Sequence, residues 1–296
     1  MASPRLISTI PEMRAAVREL QRAGKSVGLV PTMGALHEGH LSLVRRAKSE
    51  CEAAVTTIFV NPTQFAPHED FSKYPRTLEA DVQSLASANC DLVFVPSRED
   101  MYPPDASTLI EPPQVAQPLE GVCRPGHFRG VATVVLKLFN IIPADRAYFG
   151  QKDFQQFLVI QRMVADLNVP VQVVVCPIVR EPDGLAMSSR NRYLSPGERQ
   201  QALALSRALT NVQEAVSRGE RDAATLADDM QRTLEGAGIE RIDYATLVDP
   251  NTLVELTQLE GPAVALIAAL VGKTRLIDNC LLNAPGGSLP SGQAQG

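Results

Sequence analysis

Apolar positions along the chain change period in a regular way. Met13, Ala16, Val17 and Leu20 recur at helical spacing. Thr9 and Glu12 stand before them at capping-box spacing, Pro11 falls in the first turn, and Gly24 closes the stripe. Residues 26–30, SVGLV, then read as a buried strand, and Leu41, Val44, Ala47 and Cys51 give the next helix one apolar face. The β-branched run 54–60 predicts a second strand, 76–88 a helix and 91–96 a third strand. Val131, Val134, Val135, Leu138 and Ile142 predict a helix despite their β-branched content. A short strand at 147–150 follows, then a helix marked by Phe157, Ile160, Val164 and Leu167, then a continuous apolar strand at 171–179. Strands that alternate with helices and are apolar almost throughout predict a parallel sheet covered on both faces. The fold class expected for residues 1–183 is therefore α/β, a Rossmann-like parallel-sheet domain.

The pattern changes near residue 184. Ser195, Pro196 and Glu198 form a helix-start signal, and two helices are expected at about 196–218 and 222–236. Strand-like runs at 242–248, 263–271 and 274–282 come after them. Helices followed by strands predict a smaller α+β C-terminal domain over 184–283. The tail, 284–296, has Leu289 as its one large apolar residue and no charge, and is expected to be disordered.

Composition narrows the partners. A net charge of −5 gives no overall basic field for nucleic acid or an anionic membrane. The longest apolar run, 263–271, is too short to span a bilayer. The five cysteines are odd in number and far apart, with no CxxC pair, and MASPRLISTI lacks an apolar signal core. Both features lead to the expectation of a cytoplasmic protein without a disulfide framework.

The stretch 31–40, PTMGALHEGH, holds two glycines and half of the four histidines. It falls between an expected strand and an expected helix. A glycine-containing turn there suits phosphate binding, because backbone can approach closely and the helix start offers N–H groups and a positive dipole end. His37 and His40, three apart, lie on one side of that helix. The turn is neither a P-loop nor a GxGxxG loop, and HEGH lacks the HExxH spacing of a zinc site. Taken alone, the two histidines also fit weak zinc ligation or ordinary exposed polar positions.

Further blocks change that balance. VPTMGALHEGH (30–40), IFVNPTQF (58–65), YPRT (74–77), RPGHFRGVATVVLKLF (124–139), FGQKDFQQ (149–156) and DGLAMSSRNRYL (183–194) occur in order. With them the chain closely resembles the pantoate–β-alanine ligase family, of the nucleotidylyltransferase superfamily with an HxGH signature. The resemblance covers nearly the whole chain apart from the tail. It departs at Thr63 and Gln151, where the family often has Met and Glu.

The resemblance implies ATP-dependent condensation of pantoate with β-alanine through a pantoyl adenylate, releasing AMP and pyrophosphate. It implies that Met33, Gly34, Ala35, Leu36, His37, Glu38, Gly39 and His40 lie along ATP. His40 takes the family's proton-donor position, and His37 assists at the phosphates. Gly150, Gln151, Lys152 and Asp153 match a second nucleotide block, and Val179 an adenine contact through its backbone. Met187, Ser188, Ser189 and Arg190 match a loop wrapping phosphate oxygens. The catalytic set is thus His40, His37, Lys152, Ser188, Ser189 and Arg190. Gln64 and Gln156 match pantoate positions, and Gln64 also a β-alanine position. Asn61 and Tyr74 are weaker candidates, His127 and Arg129 are expected to be supporting residues, and His68 is expected to be exposed. Mg2+ is implied by the ATP chemistry, with no visible metal-ligand motif. A homodimer is implied as well. The competing readings are a nucleotidyltransferase acting on a phosphate ester, a non-catalytic nucleotide-binding module, and a zinc hydrolase.

Overall fold

The structure is a computed structural model that describes residues 3–66 and 69–282. His68 and the tail therefore lie outside the described residues. The chain divides into two compact units. The first comprises Met1–Gly150 and Gln155–Pro177, and the second Gln151–Phe154 and the chain from Ile178 onward.

The first unit begins with β1 (Arg5–Ile7), α1 (Ile10–Arg22), β2 (Val27–Thr32), α2 (Glu38–Glu50) and β3 (Ala53–Ile58). It continues through α3 (Leu78–Ser87), β4 (Leu92–Phe94), α4 (Arg98–Met101), α5 (Glu120–Cys123), α6 (His127–Ile141) and β5 (Arg146–Gly150). A helix α7 (Phe154–Asp166) and strand β6 (Gln172–Cys176) complete it. The strands form one parallel sheet in the order β1-β4-β3-β2-β5-β6. Val27, Leu29 and Val55 pack toward one face with α1, α6 and α7, while Val30, Ala54 and Val93 pack toward the other with α2 and α3. Two cores on opposite faces account for the near-continuous apolar strands.

Most expected elements are present, with instructive differences. The helix read from Val131 begins at His127, because Gly126 at φ 83° turns the chain into it. Strand β1 has three residues, too few for a periodic signal, and forms by pairing with β4. The single-turn helix α4 rests on a capping box between Ser97 and Asp100.

The second unit holds α8 (Pro196–Ser217), α9 (Ala223–Gly236), β7 (Arg241–Val248), β8 (Ala263–Val271) and β9 (Thr274–Leu282). The three strands form an antiparallel sheet in the order β7-β8-β9. Leu205, Leu209, Leu226 and Met230 pack from the helices onto Ala265, Ile267 and Leu276 of this sheet. The expected boundary was 183/184, whereas the contact pattern divides the chain at 177/178. The segment after β6 is bound to β9 by Arg180, whose guanidinium meets Asp278 at 2.7 and 3.1 Å.

Candidate active site

The sheet order sets the place. From β2 the chain proceeds to β3 and β4 on one side, and β5 and β6 lie on the other. The carboxyl ends of β2 and β5 are therefore neighbours at a topological switch point, the usual ligand crevice of open α/β sheets. The turn 33–37 leaves β2 there, and Gly150 ends β5. A Cβ placed on Gly150 would meet nothing within 4 Å, so the backbone is open to close approach on that side.

The turn after β2 is tightly held. Thr32 Oγ1 donates to Thr57 O at 2.6 Å and accepts from Gly34 N at 3.2 Å. Ala35 N and Leu36 N donate to the two carboxylate oxygens of buried Asp81 at 3.0 and 2.8 Å. Gly34 and Ala35 both have positive φ, 80° and 51°. The N–H groups from Gly34 to His37 are thus bonded inside the protein, His37 N to the ring of His40. Beyond the turn, the groups presented are the His37 and His40 side chains and the start of α2.

His37 and His40 flank that helix start with ring centroids 4.1 Å apart and planes tilted by 38°. His37 N donates to His40 Nδ1 at 3.4 Å. With Nδ1 accepting, the proton of a neutral His40 ring sits on Nε2. His40 is thereby oriented as an Nε2–H donor by its own backbone neighbour.

Gln64 follows Asn61 in a 3₁₀ turn, Pro62–Gln64. Its Oε1 accepts from Asn61 Nδ2 at 3.1 Å, and its Nε2 points at Met33 Sδ, 2.9 Å away. A thioether is a weak acceptor, so a carboxylate or hydroxyl oxygen would displace it with gain. Asn61 also donates to Gly130 O at 3.1 Å. Gly130 is required because a Cβ there would sit 2.3 Å from Thr63 O. Thr63, one of the two departures from the family pattern, bonds Asn61 Oδ1 at 2.9 Å and meets the Tyr102 hydroxyl at 3.2 Å. Tyr74 is buried with its ring edge-on to Phe65. Gln156 is half-buried near the start of α7, whereas the adjacent Gln155 is spent on Glu120 N, Val115 O and Pro118 O.

His127 fixes the backbone of the same cluster. Arg124 Nη1 lies 3.1 Å from His127 Nε2 and can only donate, so Nδ1–H donates to Gln64 O at 2.8 Å. Arg124 is itself paired with Glu69. Burial, reinforced by the Arg124 charge, pushes the His127 pKa down to about 4. Arg129 instead pairs with Glu111, both exposed.

This predicts a pH dependence of stability. Below its ordinary pKa of 6.5 the unfolded chain takes up a proton on His127 that the folded ring refuses. Stability is therefore whole above pH 6.5 and falls by about 1.4 kcal/mol per unit as pH drops toward 4. Urea unfolding should show the native protein losing about 2 kcal/mol more between pH 7 and 5 than His127→Gln. Equal losses in the two proteins would show that His127 is not held neutral.

In the second unit, the turn Gln151–Asp153 is bonded to β9. Buried Asn279 donates through Nδ2 to Gln151 O and Lys152 O, both at 3.0 Å, and its Oδ1 accepts from Gln151 Nε2 at 3.1 Å. A glutamine at 151 suits this pairing, since a carboxylate there would face the Asn279 oxygen. Val179 and Met187 face each other across a hairpin closed by Gly184 at φ 94°, with Met187 N donating to Val179 O at 3.0 Å. Ser188 then caps the 3₁₀ turn Ser189–Tyr193, accepting from Arg190 N at 3.3 Å. Asn191 anchors that turn by donating to Glu181 Oε1 at 2.6 Å and Ala186 O at 3.0 Å. The candidate residues thus divide between the units. Residues 33–40, Gln64, Gly150 and Gln156 belong to the first, and 151–153, Val179 and 187–190 to the second.

The chain matches the family model described as Pantoate-beta-alanine ligase over residues 5–281. It is 56% identical over 289 residues to pantothenate synthetase of Acidobacterium capsulatum, covering 94% of this chain and 97% of that one. The pantothenate synthetase of Thermotoga neapolitana is 54% identical, with 94% and 99% covered. The chain belongs to the pantoate-beta-alanine ligase family.

Solved structures agree. The pantothenate synthetase of Thermus thermophilus superposes with a TM-score of 0.89 at 46% identity, covering 93% of this chain and 98% of that one. The pantoate-beta-alanine ligase of Francisella tularensis, solved with beta-gamma ATP and beta-alanine, gives 0.78 at 35% identity, with 97% and 100% covered. Family membership favours a ligase over the competing nucleotidyltransferase, binding-module and zinc-hydrolase readings. Among the described residues no group of three or more His, Cys, Asp or Glu side chains is arranged to hold a metal ion. Asp81, Asn191 and Asn279 were given no role in the sequence reading. A hint for Asp81 was its spacing of four from Thr77 in the YPRT block, and for Asn191 its place in the block 183–194, but nothing local marks Asn279.

Proposed function

We propose that the protein condenses pantoate with β-alanine in two steps at the expense of ATP. The pantoate carboxylate attacks the α-phosphorus, the bond to pyrophosphate breaks, and pantoyl adenylate forms. The β-alanine amine then attacks the activated carbonyl, loses a proton and expels AMP. Neither step needs a protein nucleophile, so positioning and charge stabilisation supply the catalysis. The observation that carries this reading is the family match over residues 5–281.

His40, as an Nε2–H donor, hydrogen-bonds the oxygen on which charge develops as pyrophosphate leaves, and His37 beside it contacts the phosphates. Gly150 admits the nucleotide backbone-close, and Lys152 supplies a point charge to the phosphates. Gln151 holds the Lys152 turn, and exposed Asp153 faces ribose or a metal-bound water. Val179 and Met187 border the base, while Ser188, Ser189 and Arg190 wrap phosphate oxygens. Gln64 and Gln156 bind pantoate through neutral amides, which orient a carboxylate without the ion pair that would weaken it as a nucleophile. Gln64 also serves β-alanine.

Mg2+ would be held mainly by the nucleotide's phosphates and water, where it screens charge. Asp153 is the carboxylate of the candidate set suited to a bound water. A cytoplasmic location agrees with the free cysteines, four of them buried, and with the lack, among the described residues, of a helix long and apolar enough to cross a membrane. Homodimerisation is part of the same reading. The test is product analysis with ATP, pantoate and β-alanine, omitting each in turn. The complete mixture should yield pantothenate, AMP and pyrophosphate in equal amounts. Release of ADP and phosphate instead would exclude the adenylate route.

A further inference from the structure

The YPRT block has no role in the chemistry above, yet it leads into the residue that holds the signature turn. Asp81 lies one turn into α3 and is 3% exposed. Its Oδ2 accepts from Ala35 N at 3.0 Å, and its Oδ1 from Leu36 N at 2.8 Å. Thr77 Oγ1, four residues earlier, donates to Oδ1 at 3.2 Å. The bonds to Ala35 and Leu36 reach 46 and 45 residues back along the chain.

The turn they hold is not one the chain adopts readily. Ala35 has φ 51°, in the left-handed region where a Cβ is disfavoured. Gly34 precedes it at φ 80°, and a Cβ there would lie 3.1 Å from Asp81 Oδ2 and 3.0 Å from Ile58 Cγ2. Two charge-assisted bonds to consecutive amides can hold such a conformation. Immediately beyond it come His37 and His40, whose mutual geometry depends on where His37 N points.

The geometry points to Asp81 as a positioning residue for the nucleotide half of the reaction. Its carboxylate, steadied by Thr77, fixes Ala35 and Leu36 so that α2 starts with His37 and His40 set for ATP. This rests on the proposed function, under which those histidines meet the phosphates. Asp81 itself touches neither substrate.

The test is the steady-state kinetics of Asp81→Asn, with each substrate varied separately. Asparagine keeps the shape but turns an amide NH2 toward a backbone N–H. The variant should lose about tenfold or more in kcat/KM for ATP while KM for pantoate stays within about twofold. Adding Ala35→Gly, which makes the positive φ easy, should restore at least about a third of the loss. An unchanged ATP parameter, a KM for pantoate that rises as much as that for ATP, or no recovery with Ala35→Gly would overturn the proposal. If Asp81→Asn does not fold, Thr77→Val decides. It should show the same ATP-selective loss at smaller amplitude, and no ATP effect would overturn the proposal. Failure of the underlying function would look different, as a native protein with no pantoate-dependent turnover of ATP.

Discussion

Replacing His40 by alanine is expected to lower turnover by about 10²–10³-fold, the usual cost of one donor to charge that develops in the transition state. The proposed role makes this loss specific to one half-reaction. His37 N occupies His40 Nδ1, which leaves Nε2–H as the donor at the start of α2. Pyrophosphate departs in the first step only. Supplied with preformed pantoyl adenylate and β-alanine, the variant should therefore form pantothenate within a few-fold of the native rate. Rapid-quench measurement of the two half-reactions checks this. A full-sized loss in the second step, or retention of most activity in the first, would remove His40 from the role assigned.

Gln64→Ala is the second large effect. Gln64 is buried, its Oε1 is fixed by Asn61, and its Nε2 rests against the Met33 thioether. A substrate oxygen that replaces the thioether makes a stronger bond, and removing the amide leaves that oxygen unpaired in a buried place. kcat/KM for pantoate should fall about 10–100-fold, with KM for ATP little changed. Under the proposed role of Gln64 toward β-alanine, the second half-reaction should weaken as well, in contrast to His40→Ala. Steady-state kinetics with each substrate varied will separate the two patterns. An unaltered pantoate parameter would place the carboxylate elsewhere.

The parts of the fold legible in the sequence are those whose signal is local. The expected strands at 263–271 and 274–282 are those observed, because apolar β-branched runs bounded by turn residues carry their own boundaries. The turn 33–40 was visible from its glycines and paired histidines. What was hidden depends on partners far along the chain. Strand β1 exists through β4, Asp81 matters through Ala35 and Leu36, and Asn279 matters through backbone carbonyls 128 and 127 residues away. A single sequence leaves no periodic trace of such pairings. The bonding inside the turn 33–37 is hidden for a related reason. Glycine content shows where backbone can bend, but not that the amides so exposed are bonded by Thr32 and Asp81.

The central claim is that the carboxylate is activated before any amine is needed. Exchange of labelled pyrophosphate into ATP tests it most directly. With Mg2+ and pantoate present and β-alanine absent, label should enter ATP at a rate comparable to overall turnover, and with β-alanine alone it should not. Exchange that required β-alanine would contradict a free-standing adenylate and point to a concerted reaction. Exchange supported by a phosphorylated acceptor but not by pantoate would contradict the assigned substrate.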